Sequence, residues 1–429
     1  MGQEFARPLL PVPPVFVCTT RRPGSVTSRR QSWLYNFAAG GPLPDPPSRT
    51  LECPVTHPAS LPPLWLRDNC GCADCRDPRN GQKLFQITDL PEGLAVAVES
   101  AVETDGEPGW EVLWEPDGHR SRYPQSWLDA SADADATVDP RTEDGKTLWQ
   151  AADLRSGLRS DLPSGLRSGL PSAEWDEYRL DPAVRLRALE AVADLGFALL
   201  RGVPVREGQV TEVAETFGHV RDTNYGRIFE VRVEENPNNL AFTGALITPH
   251  TDNPYRDPVP TLQLLHCLVN SAEGGDSGLV DGFAAAALLR EEDPAAFEVL
   301  TRTPVPFRFA DAGTELSAHR PLIGTDPHGR IREIRFNNRS IGTLRLPAEQ
   351  TTAFYDAYRA FARLLLRPGL QLDFRLTPGD CLIFDNTRLL HARTAFASSG
   401  GRHLQGCYAD LDGLLSTVSV LRRAQAVAV

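Results

Sequence analysis

Lysine is nearly absent from this chain: its basic residues are 42 arginines and two lysines, Lys83 and Lys146. That leaves little room for a lysine Schiff-base mechanism. Long apolar runs are missing as well. No segment reaches the ~18 uninterrupted apolar residues that cross a bilayer, and residues 1–14 lack the basic start and apolar stretch of a secretory leader. The chain therefore reads as soluble and cytoplasmic, with no membrane partner. Neither a glycine-rich phosphate loop nor a nucleophile elbow occurs in it. Positive charge is in deficit, with a net charge of −12 at pH 7. An acidic surface repels phosphates, so no nucleic-acid partner is expected.

What is present is an ordinary globular composition: 429 residues, 41% hydrophobic and 23% charged, with room for two or three domains. Residues 1–48 are rich in Pro and Arg without a sustained period, which predicts a flexible N-terminal extension. From Leu51 to about Leu128, β-like pieces such as Leu84–Ile87 and Trp110–Trp114 alternate with turn residues, so a small β domain is expected over 51–130. The stretch LRSGLRSDLPSGLRSGLPS, residues 154–172, is a low-complexity insertion. Beyond it, residues 181–195, 209–217 and 347–366 read as helices. Strand-like runs recur at 197–200, 261–268, 278–280, 331–336, 370–376 and 380–384. The fold class is mainly β with flanking helices, an antiparallel β core over 173–425.

Eight cysteines occur, and three of them, Cys70, Cys72 and Cys75, fall within six residues while Cys18, Cys53, Cys267, Cys381 and Cys407 are scattered. Such a layout suits a metal better than a disulfide framework. Structural zinc takes four N or S donors in a tetrahedron, so a fourth ligand is needed. His119, in the turn Pro116-Asp-Gly-His119, is the first choice, with His57 and Cys53 as alternatives. Exposed free thiols this close together would be an oxidation liability without the ion.

His250 and Asp252 stand two apart, hence on one side of an extended strand. Alone the pair says little. Downstream comes His391, expected at the end of an apolar strand that starts near Phe384, and Arg402 lies eleven residues further on. Two histidines and one carboxylate make the facial triad that holds Fe(II) with open positions for a chelating cosubstrate and oxygen. Arg402 then offers a planar, bidentate anchor for a carboxylate, and Ser277 a hydroxyl for the same anion. Each residue has a bland reading: a strand end, an Asx turn, a core histidine, a surface ion pair. Their order and spacing together favour the metal. His266, inside an apolar run, reads as a hydrogen-bonded core residue, and Cys267 as buried filler.

These residues and their surroundings resemble the γ-butyrobetaine dioxygenase and trimethyllysine dioxygenase group of Fe(II)/2-oxoglutarate oxygenases over about residues 51–425. The stretches WLRDNCGCADC (65–75), ALLRGVP (198–204), PHTDNPY (249–255), QLLHC (263–267), GGDSGLVDGF (274–283), FNN (336–338), PGDCLIFDNTRLLHAR (378–393) and GRHLQGCYADLDGL (401–414) carry the resemblance. It implies a small N-terminal zinc domain followed by a double-stranded β-helix, or jelly-roll, catalytic domain. Zinc falls on Cys70, Cys72, Cys75 and His119, and iron on His250, Asp252 and His391. Arg402 and Ser277 become 2-oxoglutarate contacts, and O2 is the second cosubstrate. The group also admits ascorbate as an accessory reductant and commonly forms homodimers, so a homodimer is expected.

The same resemblance places a substrate cage at Tyr225, Phe229, Phe242 and Tyr408, with Asn239 and Asn337 at the substrate carboxylate. A quaternary ammonium donates no hydrogen bond and is recognised by aromatic faces. Two departures stand out. Phe229 occupies a position where the group usually has Trp, and Phe242 one where it usually has Tyr. A small zwitterion is the best description of the substrate, γ-butyrobetaine first, trimethyllysine or another betaine-like or secondary-metabolite substrate second. A halogenase on this scaffold needs the ligand carboxylate removed, and Asp252 is present. A non-catalytic, zinc-stapled binding module predicts loss of a triad residue, and none is lost.

Overall fold

The computed structural model describes residues 56–132, 139–156, 170–232, 244–396 and 400–428. The expected 1–48 extension, Cys53, Asn239, Phe242 and all but the ends of the 154–172 insertion lie outside these residues. The chain divides into two compact units, Met1–Thr137 and Val138–Val429. Among the described residues no helix is long and apolar enough to cross a membrane.

The first unit is built on an antiparallel meander of strands Ala95–Thr104, Glu107–Glu115 and Arg120–Pro124. Asp105 and Gly106 join the first two strands with φ of 55° and 82°, the pair of positive values that a type I′ turn requires and that Asp-Gly adopts most readily. One face of the sheet buries Val112, Trp114 and Tyr123 against Leu66 of helix Pro63–Asp68 and Leu128 of helix Gln125–Ala132. The Tyr123 hydroxyl donates to the Leu66 carbonyl at 2.7 Å, which satisfies the one polar atom of that buried ring. The strand expected at Leu84–Ile87 does not form. Lys83 makes one isolated bridge to Arg76, and Ile87–Asp89 is a 3-10 turn closed by the Asp89 carboxylate on the Gln86 N–H at 2.8 Å. Leu84 and Ile87 both stay exposed.

In the second unit the chain passes back and forth between two sheets, which is the double-stranded β-helix. The smaller sheet is ordered Gln371–Phe374, Ser277–Asp281, Leu389–Arg393, Ile247–His250. The larger runs Ser172–Glu174, Phe197–Arg201, Cys381–Asp385, Leu262–Asn270, Arg402–Ala409, Val220–Arg221, with Phe229–Arg232 also paired to Arg402–Ala409. The core ladders are antiparallel; the edge pair Ser172–Glu174 with Phe197–Arg201 is parallel, and helices Trp175–Leu180 and Pro182–Leu195 make the crossover that a parallel pair needs. Strands of the larger sheet read as unbroken apolar runs because both faces are covered. Ala198 and Leu200 pack with helices Pro182–Leu195 and Leu411–Ala428, while Phe197 and Leu199 join Leu279, Leu372 and Leu404 between the sheets. Asp181 caps the first of these helices by accepting from the Ala183 N–H at 2.8 Å, Pro182 opens it, and Gly196 at φ 91° ends it.

Two sequence expectations need correction. Strand Cys381–Asp385 ends before the triad histidine: Asp385 accepts from the Thr387 N–H and Oγ1 at 2.9 and 2.6 Å, the chain reverses, and His391 sits in the middle of the next strand, Leu389–Arg393, in the other sheet. His266 is fully buried as expected, and the Val203 backbone faces it, yet neither ring nitrogen makes a hydrogen bond of good geometry. Cys267 is buried filler, as its sequence context indicates.

Candidate active site and metal clusters

In the first unit, helix Pro63–Asp68 delivers Cys70, Cys72 and Cys75 on the loop that follows it, and His119 enters from the turn between two strands of the meander. His119 Nε2 stands 3.3, 3.6 and 3.6 Å from the sulfurs of Cys70, Cys72 and Cys75. A zinc tetrahedron with legs of ~2.3 Å to sulfur and ~2.0 Å to nitrogen has S–N edges of ~3.5 Å, so these donors could hold that ion as they stand. Burial keeps the His119 imidazole neutral by lowering its pKa. Arg67, itself buried, donates from Nη1 to Cys75 Sγ at 3.3 Å and from Nε to Asp117 Oδ2 at 3.2 Å, so one cation faces a cluster that would carry excess thiolate charge. His57 is not part of it; its ring packs on Trp110 and lies 3.7 Å from Glu99.

The second unit brings His250, Asp252 and His391 together, all ligand atoms within 4.8 Å of one another. His250 and His391 are cross-strand partners at the end of the smaller sheet, with ring centroids 4.1 Å apart. Asp252 lies just past strand Ile247–His250, and Asn253 at φ 54° turns the chain there. Asp252 Oδ1 is 3.5 Å from His250 Nε2, and Oδ2 is 3.9 Å from His391 Nε2. Burial and the neighbouring imidazole hold His391 neutral, down to about 3. Burial would push the Asp252 carboxyl up, but the two imidazoles and a phenol hold it well below the ordinary carboxylate range. Two imidazoles and one carboxylate converging on a point are the donor set of a facial-triad iron site, so these residues fit that metal.

The segment that carries the triad is held from two sides. Asn386, in the turn before His391, accepts from the Asp252 N–H at 2.8 Å and donates to the Asp252 carbonyl at 3.0 Å. On the other side Thr251 exchanges hydrogen bonds with Phe336, and Asn337 Nδ2 donates to the Thr251 carbonyl at 3.0 Å. Asn337, expected at a substrate carboxylate, thus also braces the metal loop, and its Oδ1 accepts from the Arg339 N–H at 3.2 Å.

A cavity of about 540 Å³ opens over the triad, and Arg402, Ser277, Tyr225, Phe229, Asn337 and Tyr408 all line it. Arg402 and Tyr408 face it from the same strand, six residues apart, as the two-residue period requires. Arg402 is buried, and burial brings its guanidinium down to about 10, still a cation at neutral pH. It donates from Nε to the Gly275 carbonyl at 3.3 Å, and a Cβ on Gly275 would lie a tight 3.0 Å from its Cδ at a φ of 74° that already favours glycine. At the aromatic side, Phe229 and Tyr408 stack with centroids 4.9 Å apart. The Tyr225 hydroxyl is 2.9 Å from that of Tyr255.

Four lining or bracing residues escape a sequence reading. Arg393 is a second buried guanidinium in the cavity, and the Phe396 ring lies 4.9 Å from its Cζ and 5.6 Å from that of Arg402. Tyr255 and Asn386 stand inside motifs that were legible, yet nothing in the spacing marks their roles. Phe309 stacks on Tyr255 at 5.1 Å and meets Tyr225 edge-on at 5.8 Å, adding a ring from a hairpin that no motif flags.

A jelly roll with two histidines, a carboxylate and a buried arginine on one cavity defines the Fe(II)/2-oxoglutarate-dependent oxygenases. Comparison of sequences agrees: the model of the family described as taurine catabolism dioxygenase TauD, TfdA family, matches residues 164–408, and that of the N-terminal region of γ-butyrobetaine hydroxylase-like proteins matches residues 50–131. The chain belongs to the TauD/TfdA dioxygenase family. It is similar to the γ-butyrobetaine dioxygenase of Pseudomonas sp. (strain AK-1), 39% identical over 363 residues that cover 84% of this chain and 90% of the relative. The human γ-butyrobetaine dioxygenase is 30% identical over 374 residues, 84% of this chain and 91% of that protein. A trimethyllysine dioxygenase of Meyerozyma guilliermondii is 29% identical over 375 residues, 83% and 89% of the two chains.

Proposed function

We propose that this dioxygenase hydroxylates a small trimethylammonium zwitterion, with γ-butyrobetaine, converted to L-carnitine at C3, as the first choice. The observation that carries the reading is the polarity of one strand. Arg402 and Tyr408 face a single cavity from opposite ends of roughly 20 Å of extended chain, so a guanidinium for the cosubstrate carboxylate stands at one end and stacked rings for a cation at the other. Two relatives similar over most of the chain carry the name γ-butyrobetaine dioxygenase, which supports the same substrate.

In this reading His250, Asp252 and His391 hold Fe(II), and Arg402 with Ser277 takes the far carboxylate of 2-oxoglutarate. Bound iron supplies the oxidising chemistry: O2, 2-oxoglutarate and a substrate C–H become succinate, CO2 and a hydroxylated carbon. The chain's own residues position the reactants. Arg402 fixes the cosubstrate through a planar, two-point contact that a lysine would not reproduce. Tyr225, Phe229 and Tyr408 present π faces to the cation, worth ~0.5–2 kcal/mol per ring. His391, half-buried and neutral, offers a lone pair and no competing proton. Cys70, Cys72, Cys75 and His119 hold a structural zinc with no open position for chemistry.

A second reading is favoured by Phe229, which replaces the stronger cation–π partner Trp, and by the extra ring of Phe309. Both admit a differently shaped cation, such as trimethyllysine or another betaine-like or secondary-metabolite substrate. The test is purified protein given Fe(II), 2-oxoglutarate and a panel of betaines, with succinate and hydroxylated product scored together. Coupled turnover of γ-butyrobetaine above the rest supports the first reading, and coupling only to another compound replaces it.

A further inference from the structure

Tyr408 is more than a wall of the aromatic site. Its hydroxyl donates to Asp252 Oδ2 at 2.9 Å, and the whole residue is 3% exposed. We infer that Tyr408 is a positioning residue for the metal: its hydroxyl holds one oxygen of Asp252 and fixes the rotation of the carboxylate, so that the other oxygen is left free for the ion. This rests on the iron assignment proposed above.

The geometry gives the two carboxylate oxygens different neighbours. Oδ1 lies 3.5 Å from His250 Nε2, whereas Oδ2, 3.9 Å from His391 Nε2, receives the Tyr408 proton. Asn386 already fixes the Asp252 backbone through both its N–H and its carbonyl, so the remaining freedom is rotation of the side chain, and the phenol sets it. A buried hydroxyl requires a partner, and no other acceptor bonds Tyr408 among the described residues. A bond of this kind holds a ligand in one coordination mode and tunes metal affinity.

The same ring stacks on Phe229. One rigid side chain therefore touches both the site proposed for the substrate cation and the metal carboxylate. Occupancy of the aromatic site and the seating of Asp252 are mechanically joined through it.

The test compares full-length wild type with Tyr408→Phe, which keeps the ring and deletes only the hydroxyl. Co(II), added to protein whose Cys3His cluster has first been filled with Zn(II), serves as a spectroscopic probe of the His-Asp-His site, alone and with 2-oxoglutarate. Tyr408→Phe should weaken Co(II) binding by about 10- to 100-fold and alter the cobalt d–d absorption, with KM for γ-butyrobetaine moving less than the Co(II) dissociation constant. Unchanged Co(II) affinity and spectrum overturn the inference. Tyr408→Leu, lacking ring and hydroxyl, should match Tyr408→Phe in Co(II) affinity while raising KM further; Co(II) affinity well below that of Tyr408→Phe would assign the effect to packing. If Tyr408→Phe does not fold, 3-fluorotyrosine at position 408 strengthens the donated bond without changing the shape, and an unshifted cobalt band then overturns the idea. His391→Ala separates the two claims: wild type that binds Co(II) no better than this variant refutes the iron site itself.

Discussion

Arg388 and Asp281 form an ion pair in which neither side chain has exposed surface, Nη2 to Oδ2 at 2.7 Å and Nε to Oδ1 at 3.1 Å. The pair joins the turn that precedes His391 to the strand that carries Ser277. Arg388 also donates to the carbonyls of Asp194 and Thr147, at 2.6 and 2.7 Å, and Asp281 caps helix Gly282–Glu292 through the Phe283 and Ala284 N–H groups. Every charged atom is thereby satisfied without water, the condition under which burying such a pair is tolerable.

Removing one partner strands the other. Arg388→Met should lower stability by ~3–5 kcal/mol, and the double variant Arg388→Met/Asp281→Asn should recover part of it. Urea unfolding followed by tryptophan fluorescence measures both. A single variant within ~0.5 kcal/mol of wild type would contradict the pairing.

Phe229 and Gly406 are cross-strand partners, and a Cβ on Gly406 would come within 2.2 Å of Phe229 Cζ. Gly406→Ala must displace the ring from Tyr408. It should raise KM for a trimethylammonium substrate by about 2- to 30-fold, the equivalent of ~0.5–2 kcal/mol. Phe229→Trp should act in the opposite direction on the same substrate. Equal KM values across wild type and both variants would remove Phe229 from the binding site.

Cys72 lies on the zinc loop, remote in role from the chemistry. Cys72→Ser should reduce thermal stability and zinc content, while activity per folded molecule falls much less, because a closed four-ligand site does structural work. Metal analysis with differential scanning calorimetry reads the first effect and coupled turnover the second. Intact stability with lost turnover would reverse the assignment.

His266 supplies a pH dependence with a definite sign. Burial lowers its pKa below the ordinary ~6.5. Below that pH the unfolded chain takes a proton that the folded protein refuses, so stability declines as the pH falls, by up to ~1.4 kcal/mol per unit for one proton. His266→Gln should flatten the decline between pH 6.5 and 5.5 relative to wild type in denaturant titrations. Parallel slopes for the two proteins would show that His266 titrates normally.

The metal residues were legible because coordination chemistry restricts them to a few residue types in a fixed order. Cys70, Cys72, Cys75 and the His250–Asp252 pair announce themselves by spacing, and Asp181, Pro182 and Gly196 mark a helix by capping rules. Local periods of two and 3.6 carry that information within a dozen residues. Leu84–Ile87 has a β pattern yet forms no strand, since a local pattern says nothing of whether a partner strand is at hand. His391 belongs to a different strand from Phe384 because Asp385 and Thr387 close a turn inside what reads as one apolar run.

What the sequence determined by itself is the chemistry on offer: a His-Asp-His set, a carboxylate anchor, a Cys3His cluster and a β fold to carry them. Only the tertiary structure decided who supports whom. Asp252 receives Asn386 from 134 positions away and Tyr408 from 156, Arg388 meets Asp281, and Phe309 joins the aromatic wall. These contacts depend on register between strands far apart in the chain. Register is set by the sum of the packing across both sheets, and no local pattern encodes it.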